Sequence, residues 1–190
     1  MESEPLDITM LINKAHPLPE DFRPDGLVDL YSLEHRRFFL PPKPMLLYAE
    51  AAEALNRMCT AAENEEGLGD YYVYSAWRSR EEQTLIYRHR RREGYVALPG
   101  CSEHESGLCV DIDSLDSQEM QLYWEWLKRN SWRFGYVLRY PKDREHITGI
   151  GYEPWHFRYV GENLAAILHE KNWTLEEYFA CCAPAGKPDA

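Results

Sequence analysis

Hydrophobic and polar residues alternate in four short stretches of the chain, at residues 71–76, 108–113, 134–140 and 155–160. A period of two is typical of a β-strand with one buried face. In the second stretch, for example, Leu108, Val110 and Ile112 fall on one face, while Cys109 and Asp111 fall on the other. Apolar residues at three- and four-residue spacing between these stretches indicate helices. We therefore predict an α+β fold, with a central antiparallel sheet of four strands flanked by helices.

The helical spacing predicts where the main helices lie. The predicted helices cover residues 44–63, 80–92, 116–130, 161–171 and 174–182. Residues 1–42 contain many prolines and little periodicity, which indicates an extended N-terminal arm over the core. Residues 184–190 are expected to form a frayed tail. Since no repeat or linker divides the chain, we assign residues 1–190 to a single domain.

Composition excludes several classes of partner. The net charge is −11, from 21 Lys and Arg against 32 Asp and Glu, so nucleic acid and anionic lipid are not expected to bind. No apolar run is long enough to be a membrane segment. The five cysteines include no Cys-x-x-Cys pair, which argues against a disulfide scaffold. The N-terminus lacks the features of a secretory signal, so we expect a cytoplasmic protein unless an N-terminal anchor is missing from the sequence.

Two imidazoles and a carboxylate form a candidate metal site. His104 lies in a loop shortly before the strand that carries Asp111, and His156 lies in the last strand. Such a ligand set is typical of zinc with one coordination position left open, so we predict Zn²⁺ as cofactor. Glu153 comes three residues before His156, and Pro154 places the two on a bend that enters a strand. Glu153 is therefore predicted to be the general base that takes a proton from water.

A second candidate site lies at the start of a helix. Ser79 and Glu82 have the spacing of a capping box, and Arg78 and Gln83 occupy the flanking positions whose side chains normally meet in a hydrophobic staple. Both are polar here, so they are predicted to lie side by side at a helix N-terminus, where the dipole favours an anion. The anion would be a substrate carboxylate or a developing oxyanion. The alternative is a surface arginine in an ordinary ion pair.

Four ordered motifs carry a resemblance to a known family. They are residues 11–19, Trp77-Arg78-Ser79-x-x-x-Gln83, Ser102-x-His104-x-x-Gly107-x-x-x-Asp111, and Glu153-Pro154-Trp155-His156-Phe157-Arg158-Tyr159-Val160-Gly161. Together they resemble the zinc D-alanyl-D-alanine carboxypeptidases and dipeptidases of the VanY, VanX and VanXY group, over most of the chain. The chain departs from the family pattern at Trp77, where tyrosine is usual, and at Cys109, where alanine is usual.

The resemblance implies a function. It implies zinc-dependent hydrolysis that removes C-terminal D-alanine from peptidoglycan precursors or from D-Ala-D-Ala, with a role in glycopeptide (vancomycin) resistance by analogy with VanXY-like proteins. The partner would be a small peptide that ends in D-alanine. Arg78 would stabilise the tetrahedral oxyanion, although the sequence leaves open whether it binds the substrate carboxylate instead. Ser102 and Gln83 would help to hold that carboxylate, and Trp155 would line the substrate site.

Several alternatives remain open at this point. Relatives with the same motifs are L,D-carboxypeptidases or phage-type peptidoglycan peptidases. A non-catalytic zinc module similar to hedgehog domains is another alternative, against which Glu153 argues because a structural site closes its fourth position with a ligand. A cysteine hydrolase would use Cys101 or Cys109 with His104. The strand pattern directs Cys109 towards Asp111 and not beside a general base, which argues against that mechanism.

Two further residues have alternative interpretations. Asp113 shares a strand face with Asp111, so it could orient a ligand histidine, or it could be an exposed carboxylate at the end of a strand. His146 lies in the loop before the last strand and could replace one of the predicted ligands, but we expect it to be an ordinary loop histidine.

Overall fold

The N-terminal part of the chain pairs two short strands ahead of the first helix. In the computed structural model, which describes residues 6–90 and 95–182, β1 (Leu27–Asp29) runs antiparallel to β2 (Leu46–Tyr48). Helix α1 (Ala49–Glu66) follows directly. The prediction of a helix from residue 44 was therefore wrong at its start, and the predicted arm contains a strand. The backbone of residues 46–48 is hydrogen-bonded to β1, and that pairing overrides the helical spacing of its side chains.

The central sheet has four strands, all antiparallel. They are β3 (Tyr71–Ser75), β4 (Cys109–Ser114), β5 (Tyr136–Leu138) and β6 (His156–Tyr159), in the order β3-β4-β6-β5. The predicted fold class and the four predicted strands are confirmed, within one or two residues for β3, β4 and β6. β5 is shorter than predicted at both ends: residues 131–134 form a 3-10 helix that ends at Gly135 with a left-handed φ of 79°, and the strand stops at Leu138. β4 and β6 lie in the middle of the sheet and carry most of the site.

The remaining helices pack around this sheet. They are α2 (Arg80–Arg90), α3 (Met120–Asn130), α4 (Glu145–Thr148), α5 (Glu162–Lys171) and α6 (Leu175–Cys182). The Ser79–Glu82 capping box is present: the backbone N–H of Glu82 donates to Ser79 Oγ at 3.1 Å, and that of Ser79 donates to Glu82 Oε2 at 2.9 Å. The predicted end of this helix at residues 92–94 and the predicted tail at 184–190 lie outside the described residues.

The main core lies between the sheet, α1 and α3. Leu55 and Met58 of α1, Val73 and Ile112 of the sheet, and Trp126 of α3 are all fully buried. Burying such side chains contributes about 1.5–3 kcal/mol each for the aliphatic ones, so this core holds β3 and β4 rigidly behind the site. Within the described residues, no helix is long and apolar enough to cross a membrane. The assignment of residues 1–190 to one domain stays a prediction.

Candidate functional site

The three predicted metal ligands converge on one point of the sheet. His156 opens β6 directly opposite Asp111 in β4, and His104 lies in the 3-10 helix Glu103–Ser106 just before β4. His104 Nε2 lies 3.3 Å from Asp111 Oδ2, and His156 Nδ1 lies 3.1 Å from Asp111 Oδ1. All three residues are buried. Two imidazole nitrogens therefore face a single carboxylate.

In each imidazole, the nitrogen that faces away from Asp111 has its own hydrogen-bond partner. That partner determines whether the nitrogen facing Asp111 can bind a metal. His104 Nδ1 lies 2.7 Å from the carbonyl oxygen of Ala76, and His156 Nε2 lies 3.4 Å from Glu103 Oε2. Both partners are acceptors, so these nitrogens would keep their protons when a metal is bound, and the lone pairs of His104 Nε2 and His156 Nδ1 would then be available to it. Those are the atoms that face Asp111. The donor set is one that fits zinc with an open position.

Cys109 lies closer to this centre than the sequence predicted. Potential ligand atoms of His104, Cys109 and His156 all lie within 4.8 Å of one another. The prediction that Cys109 lies away from a general base was therefore wrong, because both imidazoles lie beside Cys109 on the strand face that it shares with Asp111. Cys109 is fully buried, however, and is absent from the described residues that line the adjoining pocket. It therefore has no direct access to a substrate.

A small pocket opens in front of the three ligands. Its cavity volume is about 150 Å³. Its walls include every residue that the sequence predicted for catalysis or substrate binding, namely Arg78, Gln83, Ser102, Glu153 and Trp155. Tyr140, which the sequence analysis did not single out, also lines it. Predicted metal ligands and predicted substrate contacts thus share one cleft.

Glu153 lies at the edge of this pocket with its carboxylate towards the ligands. Its Oε2 is 3.7 Å from His156 Nδ1, and its backbone N–H donates to the carbonyl of Tyr140 at 3.1 Å. Burial raises the pKa of Glu153 to about 7; the charge of Asp111 adds to this, while His156 opposes it. A carboxyl group with such a pKa can both accept and release a proton near neutrality.

Arg78 and Gln83 lie side by side at the start of α2. Arg78 Nη1 donates to Gln83 Oε1 at 2.9 Å, and Gln83 Nε2 donates to the carbonyl of Ala97 at 2.8 Å. Gln83 therefore fixes the orientation of the guanidinium. Arg78 Nη2 lies 3.8 Å from Asp111 Oδ2, and Arg78 Nε is buried without a hydrogen-bond partner among the described residues. An unpaired buried donor costs free energy, which an oxygen of a ligand could recover.

Ser102 and Trp155 complete the walls of the pocket. Ser102 is buried at the N-cap of the 3-10 helix, yet its side chain makes no capping hydrogen bond. The ring of Trp155 is half-buried, with its centroid 6.2 Å from that of Trp124. Ser102 thus offers a hydroxyl to the pocket, and Trp155 offers an apolar wall.

Behind the ligands lies a set of four charges, three buried and one half-buried, that no sequence pattern indicated. We call it the rear cluster and define it as Glu103, Arg139, Arg158 and Glu176. Glu103 Oε1 accepts from Arg139 Nε at 2.7 Å and from Arg158 Nη1 at 3.0 Å, and Arg139 also binds both oxygens of Glu176, at 2.6 and 2.9 Å. Burial alone would raise the pKa of Glu103, but the two arginines hold it well below its usual range. Nothing in the sequence indicated that Glu103 is buried, because glutamates are mostly exposed.

Among the described residues, neither of the two residues with open interpretations lines the pocket. Asp113 Oδ1 accepts the backbone N–H of Ser114 at 2.9 Å, so Asp113 is a half-buried carboxylate near the end of its strand. His146 is exposed in α4. Of the seven histidines, His104 and His156 are buried and the other five are exposed. The buried imidazoles are thus the two that the sequence assigned to the metal.

Comparison with known proteins agrees with this geometry. The sequence profile of the family VanY, D-alanyl-D-alanine carboxypeptidase, matches residues 44–162. The chain belongs to the VanY family. It is 35% identical over 172 residues to a D-alanyl-D-alanine carboxypeptidase of Enterococcus faecium, matching 89% of this chain but only 56% of that relative. It is 34% identical to the bifunctional D-Ala-D-Ala dipeptidase and carboxypeptidase VanXYC of Enterococcus gallinarum, over 91% of this chain and 94% of VanXYC.

Solved structures of VanY-like peptidases have the same fold. The LD-carboxypeptidase LdcB superposes with a TM-score of 0.79 at 35% identity, covering 91% of this chain and 86% of LdcB. A zinc-bound variant of the vancomycin-resistance D,D-pentapeptidase VanY superposes with a TM-score of 0.76 at 29% identity, covering 92% of this chain and 99% of the VanY chain. These matches confirm the predicted family and, at the level of the VanY family, the prediction of a zinc peptidase.

Proposed function

We propose that this protein is a zinc-dependent D,D-carboxypeptidase and D,D-dipeptidase that removes C-terminal D-alanine from peptidoglycan precursors or splits D-Ala-D-Ala. The observation that carries the proposal is the convergence of His104, Asp111 and His156 at the floor of a pocket that Glu153 also lines. The length of the match to VanXYC, 94% of that relative, supports the bifunctional form of the activity.

The metal would be held by His104 Nε2, the Asp111 carboxylate and His156 Nδ1. When bound, zinc supplies Lewis-acid chemistry and makes water a nucleophile near neutral pH. Glu153, with its pKa raised to about 7, would take a proton from the attacking water and deliver it to the leaving amine. A pocket open to substrate beside the ligands is what a purely structural zinc module would lack.

Arg78 would stabilise the oxyanion of the tetrahedral intermediate. Its Nη2 lies within 3.8 Å of the ligand Asp111, so the guanidinium is near the place where negative charge develops at the scissile carbonyl. Its unpaired Nε could donate to the same intermediate. Gln83 would act mainly by holding Arg78, since its amide already contacts Arg78 and Ala97. Ser102 would contact the terminal carboxylate of the peptide, and Trp155 would pack against its apolar part.

L,D-carboxypeptidase activity is a second candidate. The observation that favours it is the match to LdcB, which has the higher TM-score of the two structures compared above, 0.79 against 0.76. The two activities differ in the configuration of the residue on the acyl side of the scissile bond, while the catalytic groups proposed here serve both.

One digest experiment tests both candidates. The protein is loaded with one equivalent of zinc and incubated with D-Ala-D-Ala, with a muramyl tetrapeptide and with a muramyl pentapeptide, and released D-alanine is measured with and without a chelator. We expect release from the dipeptide and the pentapeptide, loss of release with chelator, and recovery on zinc addition. Release from the tetrapeptide alone would favour the L,D candidate, and no release from any of the three would contradict the proposal.

We further propose that the enzyme acts on soluble precursors in the cytoplasm and thereby lowers sensitivity to vancomycin. The four cysteines whose side chains are described are free, a state typical of reducing compartments. Cell fractionation tests the location. Expression of the wild type and of a Glu153→Gln variant in a vancomycin-sensitive host tests the role, and equal sensitivity in both strains would contradict it.

A further inference from the structure

The two ligand histidines are oriented by different kinds of partner. His104 Nδ1 lies 2.7 Å from a backbone carbonyl, that of Ala76, with Ser75 Oγ farther away at 3.5 Å. His156 Nε2 lies against a side chain, Glu103 Oε2, at 3.4 Å. The orientation of His104 therefore follows from the backbone fold, while that of His156 depends on where one buried carboxylate is held.

The two oxygens of Glu103 have separate tasks. Oε1 accepts from both arginines of the rear cluster, at 2.7 Å from Arg139 and 3.0 Å from Arg158. Oε2 is left to face His156. Glu103 has a side chain with 0% exposure, and Arg139 and Arg158 have 1% and 0%. A carboxylate held this way has one oxygen anchored and the other directed at the imidazole.

The anchoring extends to distant parts of the chain. The second arginine, Arg158, donates to the backbone carbonyls of Ile8 and Met10 at 3.2 and 3.0 Å. The first, Arg139, binds Glu176 of α6. The rear cluster has two positive and two negative groups, so it is neutral only when Glu103 is ionised.

We propose that Glu103 is a positioning residue for the metal site: it accepts the Nε2 proton of His156 and so presents Nδ1 to the ion. The inference rests on the zinc site proposed above. A purely structural alternative assigns Glu103 only the task of neutralising Arg139 and Arg158. The two can be separated, because Glu176 neutralises the same cluster without contacting His156.

The experiment compares Glu103→Gln with Glu176→Gln. Each variant removes one negative charge from the rear cluster, but only Glu103→Gln changes the group that faces His156. Zinc affinity is measured by competition with a chromophoric chelator, the visible spectrum is recorded after cobalt substitution, and the melting temperature is measured without metal. We expect Glu103→Gln to lower zinc affinity about 10–100-fold and to change the cobalt spectrum. Glu176→Gln should lower the metal-free melting temperature but leave zinc affinity within about twofold of wild type. This change is much smaller than the loss of affinity expected for Glu103→Gln.

A double variant, Glu103→Gln with Arg139→Gln, restores the neutrality of the cluster without restoring an anionic acceptor for His156. If charge balance were the whole role of Glu103, the double variant would recover wild-type zinc affinity, and that recovery would overturn the inference. Wild-type affinity and spectrum in Glu103→Gln would overturn it as well. Wild-type protein that binds no zinc would overturn this inference and the proposed function together, whereas normal peptide hydrolysis with an unaffected Glu103→Gln would overturn only the inference.

A measurement on unmodified protein covers the case in which the variants do not fold. In zinc-loaded wild-type protein, proton–nitrogen NMR of the imidazole groups should show a His156 Nε2–H that exchanges slowly with solvent and resonates downfield. A rapidly exchanging Nε2–H would mean that Glu103 does not hold it, and the inference would fail.

Discussion

Charged residues lie on both sides of the metal ligands: Arg78 and Glu153 on the pocket side, and the rear cluster on the rear side. The two sides differ in how completely these charges are paired. On the rear side, Glu103 and Arg139 are buried and bound to oppositely charged partners. On the pocket side, Arg78 has a buried Nε with no partner among the described residues, and burial raises the pKa of Glu153 to about 7. The rear side is complete without a substrate, whereas the pocket side is not.

This difference indicates which property each side serves. Fully paired buried charges keep a fixed geometry, and removing one partner leaves an uncompensated charge, which is strongly destabilising. Groups that lack partners in the free protein gain them from a ligand and so contribute to binding or catalysis. Changes on the pocket side should therefore lower activity while leaving metal binding and stability intact. Changes on the rear side should lower stability and, at Glu103, metal binding, and they should affect activity only through the metal.

Asp111 lies between the two sides, and its loss should have the largest effect. Asp111→Ala removes the carboxylate that both His104 Nε2 and His156 Nδ1 face. We expect zinc to be lost on dialysis and peptide hydrolysis to fall below detection, as checked by metal analysis and the digest. Asp113→Asn, two residues along β4, is the matched control and should keep both. Stoichiometric zinc in Asp111→Ala would mean that Cys109 serves as the third ligand.

Glu153→Gln tests the pocket side with minimal change of shape. An amide cannot accept the proton of the attacking water, so kcat should fall about 10²–10⁴-fold. Zinc content and melting temperature should stay at wild-type values, because Glu153 contacts the ligands only at 3.7 Å from His156. Steady-state kinetics with metal analysis check both statements. Full turnover in this variant would show that Glu153 is not the base.

Arg78→Ala should come next in size. Loss of one oxyanion donor typically costs about 10²–10³ in kcat, and Arg78→Lys should recover part of it, since the charge returns without the guanidinium that Gln83 holds. The expected signature is a lower kcat with little change in KM. A higher KM at unchanged kcat would instead assign Arg78 to the substrate carboxylate.

The pocket side could largely be predicted from the sequence, because local patterns encode it. The alternation around Asp111 and His156 predicted β4 and β6, whose register places the two residues opposite one another. The capping box at Ser79 placed Arg78 beside Gln83, and they are hydrogen-bonded. The strands follow from strand period and the contact of Arg78 with Gln83 from residues a few positions apart, which a sequence displays directly. The pairing of Asp111 with His156, 45 residues apart, was instead expected from the types of ligand and from the family resemblance.

The rear side could not be predicted in the same way. Its four charges come from the 3-10 helix Glu103–Ser106, the residue after β5, β6 and α6, so no periodic pattern connects them. Arg158 alternates in β6 as an outward-facing residue would, yet it is fully buried beneath the N-terminal arm. The position of Cys109 was mistaken for a related reason: strand period gives the face of a residue, but not what a distant loop places over that face.

The acid stability of the metal-free protein reports on the rear side through the ionisation of Glu103. The folded-state pKa of Glu103 is lowered, because Arg139 and Arg158 outweigh the effect of burial. Ionised Glu103 therefore contributes stability above its unfolded pKa of about 4.3, and the contribution is lost as pH falls through the folded value. Between pH 5 and 3, Glu103→Gln should lose less stability than wild type, by up to about 1.4 kcal/mol per pH unit. Urea unfolding at several pH values measures this, and parallel curves for the two proteins would contradict it.

Cys109→Ala should have the smallest effect, and it tests whether Cys109 takes part in metal binding or catalysis. Cys109 lies near both imidazoles but is fully buried and outside the described pocket lining. If Asp111 is the third ligand, zinc affinity and kcat should change by less than about threefold, while stability should fall by about 1 kcal/mol because a buried sulfur is removed. Zinc titration, kinetics and urea unfolding check these values, with Cys59→Ala as the control for a buried cysteine far from the site. Abolished hydrolysis with zinc still bound would revive a cysteine mechanism, and abolished zinc binding would move Cys109 into the ligand set.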